Sequence, residues 1–185
     1  MNRFELRRDA ESPYEFVVDG VPLLESVYGP AYRDSGEITL LGVPRALIHG
    51  EQQVRRLTGE LPGENSPNRV GLYVCPVCLD EFCGGVSVSL QFEPDRVIWR
   101  DISYDVGGPD WEDCDSLADD AEEGLGPFVF DRHLYTAALE NALRQLQDEH
   151  RAEQTRLARL AEELGNRTGF WAWRRRRGRH RSIGR

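Results

Sequence analysis

"GGVSVSLQFEPDRVIWRDISYD", Gly84 to Asp105, is the stretch on which the fold turns. Val86, Val88, Leu90 and Phe92 alternate with Ser87, Ser89 and Gln91, the period of two expected of a strand with one face buried. "EPDR" (Glu93 to Arg96) has the composition of a turn. After it the alternation resumes, with Val97 and Trp99 opposed to Ile98. Two such runs around a tight turn predict an antiparallel meander. Strict alternation also puts Asp101 on the Trp99 side, as a buried carboxylate capping a loop or helix.

Upstream, "RVGLYVCPV" (Arg69 to Val77) is strand-like and leads a cysteine-rich segment into the first turn of the meander. "FVVDGVPL" (Phe16 to Leu23) places apolar runs on both sides of Asp19-Gly20, a pair suited to the positive φ of a two-residue hairpin turn. "RALIHGEQQVRRL" (Arg45 to Leu57) has helical spacing interrupted by Gly50, which leaves Leu40 to Leu61 ambiguous. Gly59 to Asn68 is dense in turn formers and reads as a loop.

Downstream, Asp110 to Glu123 carries eight acids in fourteen residues and predicts a solvated loop. "GLGPFVF" (Gly124 to Phe130) then leads into a long helix, with Asp131 as N-cap and Gly165-Asn166 as stop. Leu134, Ala138, Leu139, Ala142, Leu143 and Leu146 recur at helical spacing and should dock on the sheet. Beyond Gln147 the stripe thins: Leu157, Leu160 and Leu164 continue a heptad-like seam that His150 and Glu153 break. The expected fold class is therefore α+β, an antiparallel sheet with a long C-terminal helix packed on it and a disordered basic tail. The expected division is a domain over 1–147, a projecting helical extension over 148–166 and the tail over 167–185.

The composition fits one domain with appendages: 185 residues, 39% hydrophobic, long enough to bury a core without staples. The charged N-terminus shows no apolar signal region, and no stretch approaches the roughly 20 apolar residues of a membrane span. A cytoplasmic location follows as an expectation, with cysteines kept as thiols or bound to metal. All 23 basic residues are Arg, which fits a GC-rich coding bias. All 32 acids lie between Glu5 and Glu163, and eight arginines lie from Arg167 onward. The remaining 15 arginines against 32 acids give the body a net charge of −17, while the tail carries +8. An acidic body favours basic partners and repels nucleic acid.

"YVCPVCLDEFCGG" (Tyr73 to Gly85) packs Cys75, Cys78 and Cys83 into nine residues. The two-residue gap of Cys75-Pro-Val-Cys78 lets both thiolates of a turn reach one tetrahedral zinc, with Cys83 as third ligand. Cys114, His133 or Asp80 would supply the fourth. A redox pair is the second reading, but Asp80 and Glu81 would raise a thiol pKa and no helix clearly follows. The third is that the cysteines pack as small hydrophobes around a Gly-rich turn; Cys114, among carboxylates, is then incidental.

"LYVCPVC", "CGGVSVSL", "DRVIWRDISYD" and "GLGPFVFDRHLYTAAL" together resemble a widespread, poorly characterised bacterial family. Its members have a Cys-rich turn, a V-x-W-x-D strand and a GPF-x-FD lead into a helix. The resemblance spans Val70 to Leu143 and implies a shared fold. It brings no activity and no catalytic residues. The acidic loop and the Gln147 to Arg185 extension depart from its pattern.

His49, His133, His150 and His180 are far apart and form no ligand pair. No phosphate loop, nucleophile elbow or HExxH motif occurs, so no catalytic residue is assigned. In the tail, Phe170, Trp171 and Trp173 precede Arg174, Arg175, Arg176 and Arg177. Such a segment suits nucleic acid or an anionic membrane surface, or attraction to the chain's own acidic body. The sequence favours a non-enzymatic cytoplasmic protein that binds a basic protein, as an immunity or antitoxin protein would. The alternatives are a small zinc or thiol protein using the cysteine cluster, and an accessory protein acting through its tail on nucleic acid or anionic membrane.

Overall fold

The computed structural model describes residues 1–8, 14–29, 36–43, 47–63, 66–77, 79, 84–105 and 124–179, the side chains of 105 and 165–179 excepted. Strands β1 (Phe4–Arg7), β2 (Glu15–Val18) and β3 (Val21–Pro22) form an antiparallel sheet in that order. Phe4 pairs with Val18 and Val17 with Pro22. Asp19 and Gly20 join β2 to β3 with φ of 52° and 87°, the left-handed pair that a two-residue hairpin requires.

Helix α1 (Leu23–Tyr28), a 3-10 turn at Leu40–Gly42 and helix α2 (Leu47–Leu57) follow. This resolves the ambiguous stretch. Gly50 does not break α2, because the space beside it is taken: a Cβ there would lie 2.6 Å from Leu146 Cδ2 and 3.1 Å from the Leu40 carbonyl oxygen. The glycine lets two helices and a turn meet closely, which outweighs about 1 kcal/mol of lost helix propensity.

The second sheet contains β4 (Arg69–Gly71), β5 (Gly85–Phe92), β6 (Arg96–Asp105) and β7 (Phe128–Asp131), antiparallel and in chain order. The expected hairpin is present, Leu90 opposite Trp99 and Phe92 opposite Val97. Its register shifts between Ser87 and Ser89: Ser87 faces Ser103, but Ser89 faces Arg100. The extra residue on β6 is a β-bulge, and it overturns the expected burial of Asp101. Asp101 sits in the bulge with φ 51°, its side chain 61% exposed and paired with Arg69 at 2.8 Å. Strict alternation fails here because one inserted residue moves every later side chain to the other face.

Helix α3 spans Arg132–Arg179. Asp131 caps it as expected, its Oδ1 accepting from the Leu134 N–H at 2.9 Å. The helix passes the expected stop at Gly165-Asn166 and runs on to Arg179, into the stretch expected to be a disordered tail; unlike Pro, Gly removes no backbone donor. By contacts the chain divides into Met1–Gln147 and Asp148–Arg185. In the first unit Leu139, Ala142 and Leu146 are buried and Leu143 packs against them. Leu134 is exposed, and the buried residue of that turn is Tyr135.

The core joins both sheets. Phe16 from β2 and Trp99 from β6 meet edge to face at 5.8 Å, and Phe4 lies 5.5 Å from Trp99 and 4.6 Å from Tyr135. Trp99 meets Phe130 edge to face at 5.3 Å. Such pairs contribute about 0.5–1.5 kcal/mol each beyond area burial.

Candidate functional site

The cysteine segment is held at both ends by backbone. The Leu72 and Tyr73 N–H groups donate to the Val86 carbonyl at 2.7 and 3.2 Å. Val74 and Ile38 then exchange both backbone hydrogen bonds, at 2.9 and 3.1 Å. Gly85 makes this approach feasible, since a Cβ there would stand 2.1 Å from the Tyr73 carbonyl oxygen.

Beyond Val74 the chain turns. The Leu79 N–H donates to the Cys75 carbonyl at 2.9 Å, and Leu79 adopts φ 58°. A bond from the fifth residue back to the first, with a left-handed residue at its end, closes the turn through backbone. Pro76 is exposed and Val77 is 89% exposed, while Cys75 is half-buried. The turn thus shows its apolar tip to water and keeps Cys75 against the body. Cys78 and Cys83 lie outside the described residues, as do Asp80, Glu81 and Cys114 in its acidic loop. Among the described residues no three His, Cys, Asp or Glu side chains are grouped to hold a metal.

Side chains in a pleated pair alternate between faces. The Ile38–Val74 bridge therefore puts Glu37 and Thr39 on the same side as Tyr73 and Cys75. Tyr73 is buried; its hydroxyl accepts from the Phe16 N–H at 3.1 Å and donates to Glu15 Oε1 at 2.7 Å. Burial first, then the Glu15 charge, holds the phenol protonated well above its usual range. Tyr28 donates to Glu37 Oε2 at 2.9 Å, and its pKa too is raised, by burial and by Glu37. Burial raises the Glu37 carboxyl, against a smaller opposite effect from the Tyr28 hydrogen bond. One carboxylate with a tyrosine donor, Glu37, thus shares a face with Cys75. Sequence reading missed Glu37, which carries no signal in the chain order: 38 residues separate it from Cys75.

His133, one of the three candidates for a fourth ligand, is placed elsewhere. Cys75 follows the segment that contacts the first residues of β5, whereas His133 shares an open cavity of about 540 Å³ with Pro94 and Asp95, just past the strand's other end. An eight-residue strand separates the two by roughly 25 Å. That cavity is lined by groups with structural partners: Asp131 caps α3, and Arg132 donates to the Glu93 carbonyl at 2.9 Å and lies over the Phe92 ring. Trp171, Trp173, Arg174, Arg175, Arg176 and Arg177 lie on the backbone of α3, and their side chains are outside the described residues. No helix among the described residues is long and apolar enough to cross a membrane.

No protein-family model, no curated protein and no solved structure matches this chain.

Proposed function

We propose that the protein binds one zinc ion through the Cys75 turn and that the metal has a structural role. The observation that carries the reading is the Leu79 N–H to Cys75 carbonyl bond, closed by Leu79 at φ 58°. It preforms the turn across a two-residue cysteine gap, the spacing that zinc knuckles use. The exposed tip at Pro76 and Val77 argues against cysteines that merely pack inside. Cys75, Cys78 and Cys83 supply three thiolates. Asp80 or Cys114 supplies the fourth ligand, and a filled tetrahedron leaves no position for a substrate.

Metal analysis of the purified protein combined with native thiol titration tests this. One zinc per chain is expected, with the thiols of Cys75, Cys78 and Cys83, and of Cys114 where it is the fourth ligand, reacting only after chelation. A metal-free protein whose thiols all react at once would refute it.

A second reading concerns another surface: the acidic body takes a basic protein partner, as immunity or antitoxin proteins do. The net charge of −17 over residues 1–166 supports it. Complexes with basic proteins should form at low salt and dissociate as the Debye length shrinks from about 10 Å at 0.1 M to 3 Å at 1 M. Binding that ignores salt, or none at all, would remove this reading.

A further inference from the structure

We propose that Glu37, with the adjoining Tyr28 and Tyr104, seats an arginine side chain of a basic protein partner, which presupposes the acidic body as a binder of basic proteins and names its point of contact.

Several carboxylates of the body have an arginine beside them: Glu5 pairs with Arg3, Glu60 with Arg55, Glu93 with Arg96 and Asp101 with Arg69. Glu37 is half-buried, yet among the described residues it has no ion pair. Its one hydrogen bond among them comes from Tyr28 and ends on Oε2, so Oε1 has no donor there. Burial disfavours its charge, and no cation is among the influences that offset this. A carboxylate that loses water without gaining a counter-charge destabilises the fold. A cation carried in by a partner would remove that penalty.

Backbone pairing brings Tyr104 to the same end of the larger sheet. Tyr104 lies opposite Val86. The Val86 carbonyl accepts from the Tyr73 N–H, and the next residue, Val74, bridges Ile38 beside Glu37. Tyr104 is within electrostatic range of the Tyr28 hydroxyl. Tyr28 and Tyr104 remain 36% and 47% exposed, so ring surface is open beside the carboxylate.

A lone carboxylate suits any cation, and the two rings narrow the choice. A guanidinium is planar and weakly hydrated, and it stacks on an aromatic face while its N–H fork donates to a carboxylate. An ammonium is a compact, strongly hydrated charge that loses more water at a half-buried site. The net negative charge of the body steers either one inward, so charge alone does not discriminate between them.

Fluorescence anisotropy of labelled hexa-arginine and hexa-lysine peptides, titrated with the full chain at low salt, tests the proposal. Hexa-arginine should bind the more tightly. Glu37→Gln keeps an acceptor for Tyr28 and should weaken hexa-arginine by at least about fivefold. Asp95→Asn, the same charge change in the turn at the other end of β5, should alter it by less than about twofold. Tyr104→Leu, at an exposed position, should narrow the preference for arginine by about two- to fivefold. Circular dichroism should show an unchanged fold in all three variants. Equal binding of the two peptides, or equal weakening by Glu37→Gln and Asp95→Asn, would overturn the site and leave a generally acidic binder standing. Binding that appears only in Arg174→Gln/Arg175→Gln/Arg176→Gln/Arg177→Gln would put the chain's own arginines in the seat and overturn the partner. Binding of neither peptide to either chain would remove the basic-partner reading as well.

Discussion

Trp99 Nε1 donates to the Tyr135 hydroxyl at 3.2 Å, and that hydroxyl donates onward to the Leu57 carbonyl at 3.0 Å. Both side chains are fully buried. One hydroxyl thus ties an inner strand of the larger sheet, β6, to the first turn of α3 and the C-terminus of α2. Burial, offset in part by the bond from Trp99, keeps the phenol protonated well above its ordinary range.

Tyr135→Phe keeps the ring and its packing and leaves two buried polar groups without a partner. Each carries a desolvation penalty of about 1–3 kcal/mol. The variant should unfold at lower urea concentration with an unchanged m-value. Tryptophan fluorescence, to which the buried Trp99 contributes with three other tryptophans, should follow the same transition. A loss below about 0.5 kcal/mol would mean that the bridge contributes little.

The α+β class and the β5–β6 hairpin were legible because alternation over Val86–Phe92 and Val97–Trp99 is a local signal, as are the Asp19-Gly20 turn and the Asp131 cap. Non-local contacts were not legible. Tyr135 outranks Leu134 as the buried residue because its hydroxyl finds Leu57, 78 positions away. Asp101 escapes burial through one inserted residue, which no periodicity in β6 announces. The cysteine spacing was visible, but its neighbour Glu37 arrives through a single bridge between distant segments.

Gly85→Ala tests how tightly the cysteine turn is anchored. The added methyl would overlap the Tyr73 carbonyl, which is backbone and cannot swing aside. Overpacking of this kind costs about 1–3 kcal/mol or more. Thermal unfolding should show the loss, and native thiol titration should show Cys75 more reactive as the Val74–Ile38 bridge loosens. Wild-type stability in this variant would mean that the bridge yields easily.

Asp101 separates backbone strain from side-chain charge. Its φ of 51° disfavours a side chain with a Cβ by about 1–2 kcal/mol. Its carboxylate in turn engages Arg69, which also donates to Ser89 Oγ at 3.2 Å and to Ser103 Oγ at 2.5 Å. Asp101→Gly relieves strain while losing an ion pair that is exposed on the Asp101 side, of about 0–1 kcal/mol, so stability should change little. Asp101→Ala keeps the strain and loses the pair, and should be the less stable of the two by about 1 kcal/mol. Equal stabilities by denaturant titration would show that the bulge does not need a left-handed residue.

Glu37 and Asp19 should give opposite pH dependences. Burial raises the Glu37 carboxyl in the folded chain. The folded state therefore holds that proton more tightly than the unfolded state does. The resulting stabilisation is complete below the unfolded pKa of about 4.3 and is lost as pH rises through the folded value. Glu37→Gln keeps an acceptor for Tyr28 and removes the titration. It should be more stable than the parent at pH 7, with the margin closing as pH falls through about 4. Asp19 behaves the other way. The Arg3 N–H, at 2.7 Å, and the Asn2 amide, at 2.6 Å, hold its carboxyl below its usual value. Its contribution is present above the unfolded pKa of about 3.9 and is lost as pH falls through the folded value. Asp19→Asn, which tolerates the left-handed turn, should be less stable than the parent at pH 7 and converge with it in acid. Urea midpoints for the three proteins between pH 3 and pH 8 would read both effects. A Glu37→Gln margin that widens toward low pH would show that the carboxyl is stabilised in its charged form, so that the Tyr28 bond outweighs burial.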